Sequence, residues 1–337
     1  MSCPLPAGPT LLLDAAGISA LMDQADWLEA AEIAFRGLAD GSAQAPPPVT
    51  LAGLGGTFHA KGASLVCYGD LHVAVKLNGN FPANPQVNGL PTIQGAVLLC
   101  DGTTGELHAI LDSAELTIRR TAAATALAAR HLARPDSRAL LICGCGGQAE
   151  AQLAALAFVL PLERVHAWDR DPARAEALAA SARRLGLAAE RASDLAAAAL
   201  ASDVIVTCTT STSPFLAAAH VRPGSFIAAT GADSPGKAEI MPDLVARSRL
   251  VVDHLAGCLA GGDLRNAIEA GAVAASHACA ELATLVAGKL PGRTDDQAIF
   301  LFDSTGIGVQ DVAAAALIRR KAVERGHGVR IMLRKAA

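Results

Sequence analysis

Apolar positions change their spacing along this chain, and each change marks a different kind of element. Residues 24–39 repeat at helical intervals and stop at Gly41. Asp14 is placed to cap a shorter helix before them, and Pro46-Pro47-Pro48 breaks the chain after them. From about Thr57 to Asp112 the pattern turns to short β-rich runs at 64–68, 72–77, 93–100 and 107–111. Asp101-Gly-Thr-Thr-Gly105 joins the last two as a hairpin-type turn. Asp112-x-x-Glu115 is a capping-box pattern and opens a long helix that runs to about Leu132. Beyond Pro135-Asp136, strands and helices alternate. Strands are predicted at Ala139–Cys143, 165–169, 203–207, 226–230 and 250–253, and helices at Ala149–Val159 and 172–185. Strands separated by helices predict a parallel, doubly wound sheet, so the fold class is α/β. A last helix at 309–325 follows Asp303-Ser-Thr-Gly306. It must bury its Val312/Ala316 face, and is expected to return to the first domain. The division expected is therefore residues 1–117 with 310–337 as an α+β domain, and 118–309 as a Rossmann domain.

The most specific stretch is Ala139-Leu-Leu-Ile-Cys-Gly144-Cys-Gly146-Gly147-Gln148-Ala149. An apolar strand enters Gly-x-Gly-x-x-Ala and continues into a helix, and the next strand ends at Asp169 a little over twenty residues later. This is the layout of a dinucleotide-binding unit. Gly144 allows the tight turn, Gly146 lets the backbone approach a pyrophosphate, and Ala149 lets helix and strand pack closely. The pyrophosphate would rest on the helix N-terminus. Asp169 would accept hydrogen bonds from the ribose hydroxyls, which favours NAD. Arg170 beside it offers a cation for the extra phosphate of NADP.

Composition narrows the function classes. The chain has 337 residues, a net charge of -4 and a mean hydropathy of +0.35. That charge balance provides no footprint for nucleic acid. Much of the hydropathy is alanine in helical patterns, and no apolar run reaches the ~20 residues of a membrane span. Met1-Ser-Cys-Pro-Leu-Pro carries no secretory signal, so a cytoplasmic protein is expected. The eight cysteines form no Cys-x-x-Cys pair, and His59, His72 and His108 stand singly. Reduced, mostly buried cysteines and no metal site are expected.

Seven motifs carry a resemblance to the ornithine cyclodeaminase/mu-crystallin family. They are Val75-Lys76-Leu-Asn-Gly-Asn-Phe-Pro82, Gly89-Leu-Pro91-Thr92-Ile-Gln-Gly95, Thr104-Gly-Glu106 and Leu116-Thr-Ile-Arg-Arg120-Thr121-Ala-Ala, followed by Gly144-Cys-Gly-Gly-Gln148-Ala, Gly231-Ala-Asp233-Ser-Pro-Gly-Lys237-Ala-Glu239 and Phe302-Asp-Ser304-Thr305-Gly306. They run in order from about residue 45 to 315. The resemblance implies a homodimer whose first domain dimerises and binds substrate. It also implies NAD(P)-dependent chemistry at the C–N bond of an amino acid or cyclic imino acid.

The resemblance further places Lys76 and Arg120 on the substrate carboxylate and makes Asp233 the proton carrier for the substrate nitrogen. Thr92 and Thr305 match positions near the substrate. Thr121, Gly144, Gly146, Gly147, Gln148, Ala149, Asp169, Arg170, Thr207, Thr230, Lys237 and Ser304 match positions around the dinucleotide. The residues themselves agree with part of this. Lys76 lies inside an apolar strand, and a buried ammonium needs an anionic partner. A structural carboxylate and a substrate both meet that need, and the family pattern favours the substrate. Arg120 can grip a carboxylate with two parallel hydrogen bonds. Asp233 follows a strand at the carboxyl end of the sheet, although Asp-Ser-Pro-Gly is also an ordinary turn. Arg119 reads as a solvated or interdomain salt bridge.

One departure stands out. The family has an arginine after the proline ahead of the first β region, whereas here the stretch is Ala45-Pro-Pro-Pro48-Val-Thr. Lys61 is the nearest replacement cation. Three functions follow: a reductase of cyclic imino acids such as pyrroline-2-carboxylate, an ornithine cyclodeaminase yielding proline and ammonia, or a non-catalytic nucleotide-dependent binding protein of the crystallin type. Lys76, Arg120 and Asp233 together argue against the third. The missing arginine tips the balance from ornithine towards reductase chemistry on a small-molecule imino or amino acid.

Overall fold

The computed structural model describes residues 8–333. The chain forms two units. One is built from the chain before Thr121 and after Gly306, the other from Thr121–Gly306.

In the first unit, local side chains set where the helices start. Asp14 Oδ1 accepts from Gly17 N at 2.8 Å and caps Ala15–Leu21. Asp23 and Asp26 bond each other's backbone N–H at 2.9 Å and open helix Gln24–Asp40, which ends at Gly41 with φ 84°. Asp112 Oδ1 accepts from Glu115 N at 2.8 Å, and helix Ser113–Leu132 begins there. The sheet comprises β1 (Thr10–Leu13), β2 (Ala43–Gln44), β3 (Val49–Gly53), β4 (Gly56–Cys67), β5 (Asp70–Asn80), β6 (Ile93–Asp101), β7 (Leu107–Asp112) and a C-terminal strand, Val329–Ile331. Their order is C-terminal strand–β1–β7–β6–β5–β4–β2, with β3 also on β4. β4 and β5 are far longer than the sequence pattern indicates. Polar residues and glycine at their far ends, such as Gly56-Thr-Phe-His59, mask the alternation. Antiparallel pairing carries them onward to Thr57 opposite Asn80.

The register sorts side chains onto the two faces. Gly62, Val75, Leu98, Ile110 and Leu12 stand opposite one another across five strands, and Lys61, Lys76, Val97 and Leu111 form the adjacent row on the other face. That second face is covered by helix Gly308–Arg325, which packs on β4, β5 and helix Gln24–Asp40. The terminal helix thus returns to the first unit, as its apolar face required. A Cβ at Gly308 would meet the Gly62 carbonyl at 2.8 Å, so the approach needs glycine. The first face leaves Leu12, Val66, Val75, Leu77 and Leu98 exposed.

The second unit contains an eight-stranded sheet in which every pairing is parallel. Its strands are β8 (Ala139–Cys143), β9 (Arg164–Trp168), β10 (Ala188–Arg191), β11 (Val204–Thr207), β12 (Phe226–Ala229), β13 (Arg249–Val252), β14 (Ala278–Glu281) and β15 (Phe300–Asp303). The order is β10-β9-β8-β11-β12-β15-β13-β14. From β8 the chain winds outward through β9 and β10, then returns to place β11 on the other side of β8. The crevice between the carboxyl ends of β8 and β11 is therefore the topological switch point, where such sheets bind ligands. Strand β15, absent from the predicted set, slots between β12 and β13. No helix of the described residues is long and apolar enough to cross a membrane.

Leu317 is fully buried on the C-terminal helix. Leu317→Ala should destabilise the protein by about 2–5 kcal/mol, read as a lower urea midpoint at unchanged slope. A loss below about 1 kcal/mol would mean that the helix does not close the core of this unit.

Candidate active site

In the first unit, three elements bring charged side chains to one buried point. Lys76 comes from β5, Arg120 from helix Ser113–Leu132, and Asp311 from the first turn of helix Gly308–Arg325. The Lys76 Nζ lies 2.9 Å from Asp311 Oδ2 and 3.0 Å from Oδ1, and also donates to Thr117 Oγ1 at 3.1 Å. Arg120 Nε faces Asp311 Oδ1 at 3.2 Å, and its Nη1 donates to Gln310 Oε1 at 2.8 Å. Side-chain exposure is 4%, 7% and 2% for Lys76, Arg120 and Asp311, so all three charges are withdrawn from water. The expected anionic partner of Lys76 is therefore present as a structural carboxylate. Burial, with repulsion from Arg120, pulls the Lys76 ammonium down to about 7, and Asp311 opposes that fall. Lys61 stands directly opposite Lys76 across β4 and β5 and adds to the repulsion. Arg119 makes a local pair with Glu115 at 2.8 Å rather than an interdomain bridge. Thr92 is half-buried just ahead of β6, and its carbonyl accepts from Phe81 N at 2.8 Å.

In the second unit, the glycine turn lies at the switch point. Gly144 has φ 94°, and a Cβ there would meet Thr209 Cγ2 at 2.8 Å and the Cys208 carbonyl at 2.9 Å, so both conformation and space require glycine. A Cβ at Gly146 or Gly147 would meet nothing within 4 Å, which leaves that side of the turn open. Helix Ala149–Val159 starts there with no side-chain cap, and Gln148 Oε1 is buried without a partner. The buried Ala149 permits the close helix packing. Asp169 Oδ2 accepts from Cys145 N at 2.7 Å and Oδ1 from Asp171 N at 2.8 Å, tying the second strand to the turn. Arg170 is exposed beside it.

Glu239 braces the two loops next to this turn. Fully buried, it accepts from Thr207 Oγ1 at 2.7 Å, Thr209 N at 2.6 Å, Thr209 Oγ1 at 2.7 Å and Gly231 N at 2.8 Å. Thr207 and Ser304, expected at the dinucleotide, turn their hydroxyls to buried carboxylates instead: Thr207 to Glu239, and Ser304 to Asp253 at 2.9 Å. Thr230 Oγ1 donates to the Thr207 carbonyl at 2.9 Å, and the Thr121 carbonyl accepts from Thr125 Oγ1 at 3.3 Å. Thr305 is buried against Gly257. Asp233 is exposed four residues past β12, and its Oδ1 takes an ion pair from Lys237 at 2.7 Å. Sequence reasoning missed Asp311, Gln310 and the bracing role of Glu239. A single acid at the start of the apolar run Val312–Ile318 was the available signal for Asp311.

The profile of the ornithine cyclodeaminase/mu-crystallin family matches residues 10–326. The alanine dehydrogenase of Archaeoglobus fulgidus is 35% identical over 96% of this chain and 98% of its own length. The structure of Thermococcus litoralis Δ1-pyrroline-2-carboxylate reductase in complex with NADH and L-proline superposes with a TM-score of 0.90, at 31% identity, over 95% of this chain and 99% of that one. The iminosuccinate reductase of Paracoccus denitrificans in complex with NAD+ gives 0.88 at 34% identity, over 96% and 100%.

Near Glu239 lie two further buried acids, Asp263 and Asp303. Burial first, and then repulsion from Asp263 on both Glu239 and Asp303, pushes Glu239 up to about 7 and Asp303 well above the carboxylate range, and burial raises Asp263 to about 6. Each pKa is raised in the folded state above its ordinary 3.8 or 4.5. The native protein thus holds these protons more tightly than the unfolded chain. Their stabilisation is complete below the ordinary values and is lost as pH rises through about 6 and 7. Asp303→Asn mimics the neutral acid. The melting temperature of the variant should gain on the wild type between about pH 5 and pH 8. Parallel melting curves would show that Asp303 carries no such shift.

Proposed function

The chain belongs to the ornithine cyclodeaminase/mu-crystallin family, and on that premise we propose that it is an NAD(P)-dependent oxidoreductase that reduces the C=N bond of a cyclic imino acid of the pyrroline-2-carboxylate type. The observation that carries this reading is the pair Lys76 and Arg120, two buried cations sharing a single resident carboxylate. The three charges sum to one positive, which suits a substrate presenting a carboxylate and an uncharged ring. Lys61, opposite Lys76, is a third cation for that carboxylate in place of the family's arginine. A carboxylate brought beside Lys76 favours the ammonium. Substrate binding above about pH 7 therefore draws a proton onto Nζ.

The second unit fits a nicotinamide dinucleotide, because Gly146 and Gly147 leave open the side of the turn where a pyrophosphate approaches. Such a cofactor supplies the hydride for the imino carbon. Asp169 keeps lone pairs beyond its two backbone bonds for ribose hydroxyls, so NAD is preferred over NADP. Asp233 carries the proton of the substrate nitrogen on Oδ, with Lys237 orienting the carboxylate. The relative solved with L-proline supports the choice of ring substrate. The exposed apolar row of Leu12, Val75 and Leu98 pairs with a second copy to make a homodimer; an archaeal alanine dehydrogenase of similar fold, at a TM-score of 0.91, is a dimer with bound NAD.

A panel of cyclic imino acids with NADH and NADPH, run beside ornithine with NAD, should give turnover on pyrroline-2-carboxylate or its six-membered homologue. Release of ammonia from ornithine with no imine reduction would replace this reading by the cyclodeaminase one. On the best substrate, Lys76→Met should lower kcat/KM by roughly 30-fold or more, since losing one partner of a buried charged bond costs ~2–5 kcal/mol. Asp233→Asn should lower kcat mainly, and Lys61→Met should raise KM. Gly146→Val should abolish NADH binding in calorimetry while the fold persists; unchanged affinity would remove the turn from the cofactor site.

Leu98→Glu places a charge in the exposed row. Light scattering should show a monomer for this variant and a dimer for the wild type. A variant that stays dimeric would move the interface elsewhere.

A further inference from the structure

Lys76 and Arg120 are like charges held together in a buried position. Their partners come from chain segments far away in sequence: Asp311 and Gln310 lie on the C-terminal helix. Asp311 reaches both cations at once, within 3.0 Å of Lys76 Nζ through both oxygens and 3.2 Å from Arg120 Nε. Gln310 Oε1 takes the Arg120 Nη1 and also the Ile307 N–H at 3.2 Å, so the guanidinium is fixed to the helix start. We propose that Asp311 is the positioning residue of the carboxylate clamp, fixing Lys76 and Arg120 side by side and holding the proton on Lys76 to a higher pH than the amine would keep without that carboxylate. The inference rests on the reading of these two cations as the substrate clamp.

The groups around Lys76 give the direction. Lys61 faces it from β4, Arg120 and Thr117 from helix Ser113–Leu132, Asp311 from helix Gly308–Arg325, and the uncharged Val97 from β6. Burial, Arg120 and Lys61 all favour the neutral amine, and Asp311 is the acid that opposes them. With Asp311 neutralised, Lys76 loses its proton at lower pH. An uncharged amine no longer pairs with a substrate carboxylate, so kcat/KM on the alkaline side should fall earlier.

The test compares wild type with Asp311→Asn and Asp311→Glu. Two readouts are taken: kcat/KM against pH on pyrroline-2-carboxylate, and the Lys76 titration by NMR of the labelled lysine side chains, assigned with Lys76→Met. In Asp311→Asn the alkaline limb and the Lys76 midpoint should move down together by about one pH unit or more, a loss of roughly tenfold or more at about pH 8 with recovery to within a few-fold at about pH 6. NADH affinity should be unchanged. Asp311→Glu keeps a carboxylate on the same helix turn and should lie between the two; it also serves if Asp311→Asn does not fold. A Lys76 midpoint that stays in place, or a loss of activity equal at every pH, would overturn the proposal. If the midpoint moves but no imino or amino acid is turned over, the positioning role stands and the functional reading falls.

Discussion

Burial of two cations around one carboxylate is the constraint on which the first unit depends. Lys76 sits on a central strand, Arg120 on the helix that follows the sheet, and Asp311 on the last helix of the chain. No one of these charges is tolerable alone in that position, since stripping a partner from a buried pair costs about 3–5 kcal/mol. The cluster therefore locks the C-terminal helix onto the sheet face, and apolar packing by Val309, Val312, Leu317 and Ile318 completes the contact. Holding cations out of water also makes them effective ligands for an anion, because little solvent remains to compete. Under the proposed function, one arrangement serves both folding and recognition.

The second unit solves a different problem, how to present an open backbone turn without letting it collapse. Gly144 is wedged against Cys208 and Thr209, so the turn is anchored on the side of β11. Asp169 ties it to β9. Glu239 takes one donor from the end of β11 and three from the loops after β11 and β12, and those loops frame the crevice from the other side. The glycines that face outward, Gly146 and Gly147, are left unobstructed within this frame. Buried carboxylates recur here as braces: Glu239 and Asp253 receive backbone N–H groups from the loops after β12 and β15, and Asp303 receives one from the first turn of helix Asp263–Glu269. The hydroxyls of Thr207 and Ser304 accordingly turn to Glu239 and Asp253.

Much of the architecture was legible because it is written in contiguous residues. Strand, glycine turn, helix and acid from Ala139 to Asp169 occupy one unbroken segment, and the alternation of strands with helices after it dictates a parallel sheet whatever the rest of the chain does. The capping carboxylates Asp14 and Asp112 act within three residues, so those helix starts were also readable. The motifs that carry the family resemblance singled out Lys76, Arg120 and Asp233 as chemistry-bearing residues. The need of Lys76 for an anion followed from its apolar setting alone.

The tertiary structure decided which anion. Asp311 lies 235 residues from Lys76, and nothing in local periodicity links the two; only the return of the last helix to the first sheet brings them together. The same holds for Lys61 opposite Lys76, which is a matter of strand register, and a shift by one residue would send either side chain to the other face. Strand β15 entering between β12 and β13, and the long outer halves of β4 and β5, likewise depend on pairing partners rather than on their own composition. The sequence by itself determined the two kinds of fold and singled out the residues to which the proposed chemistry is assigned, because secondary structure, capping and motifs are short-range. The charge partners that hold and tune those residues were set by long-range packing, because a buried ion is balanced by whatever the folded chain places within a few ångströms of it.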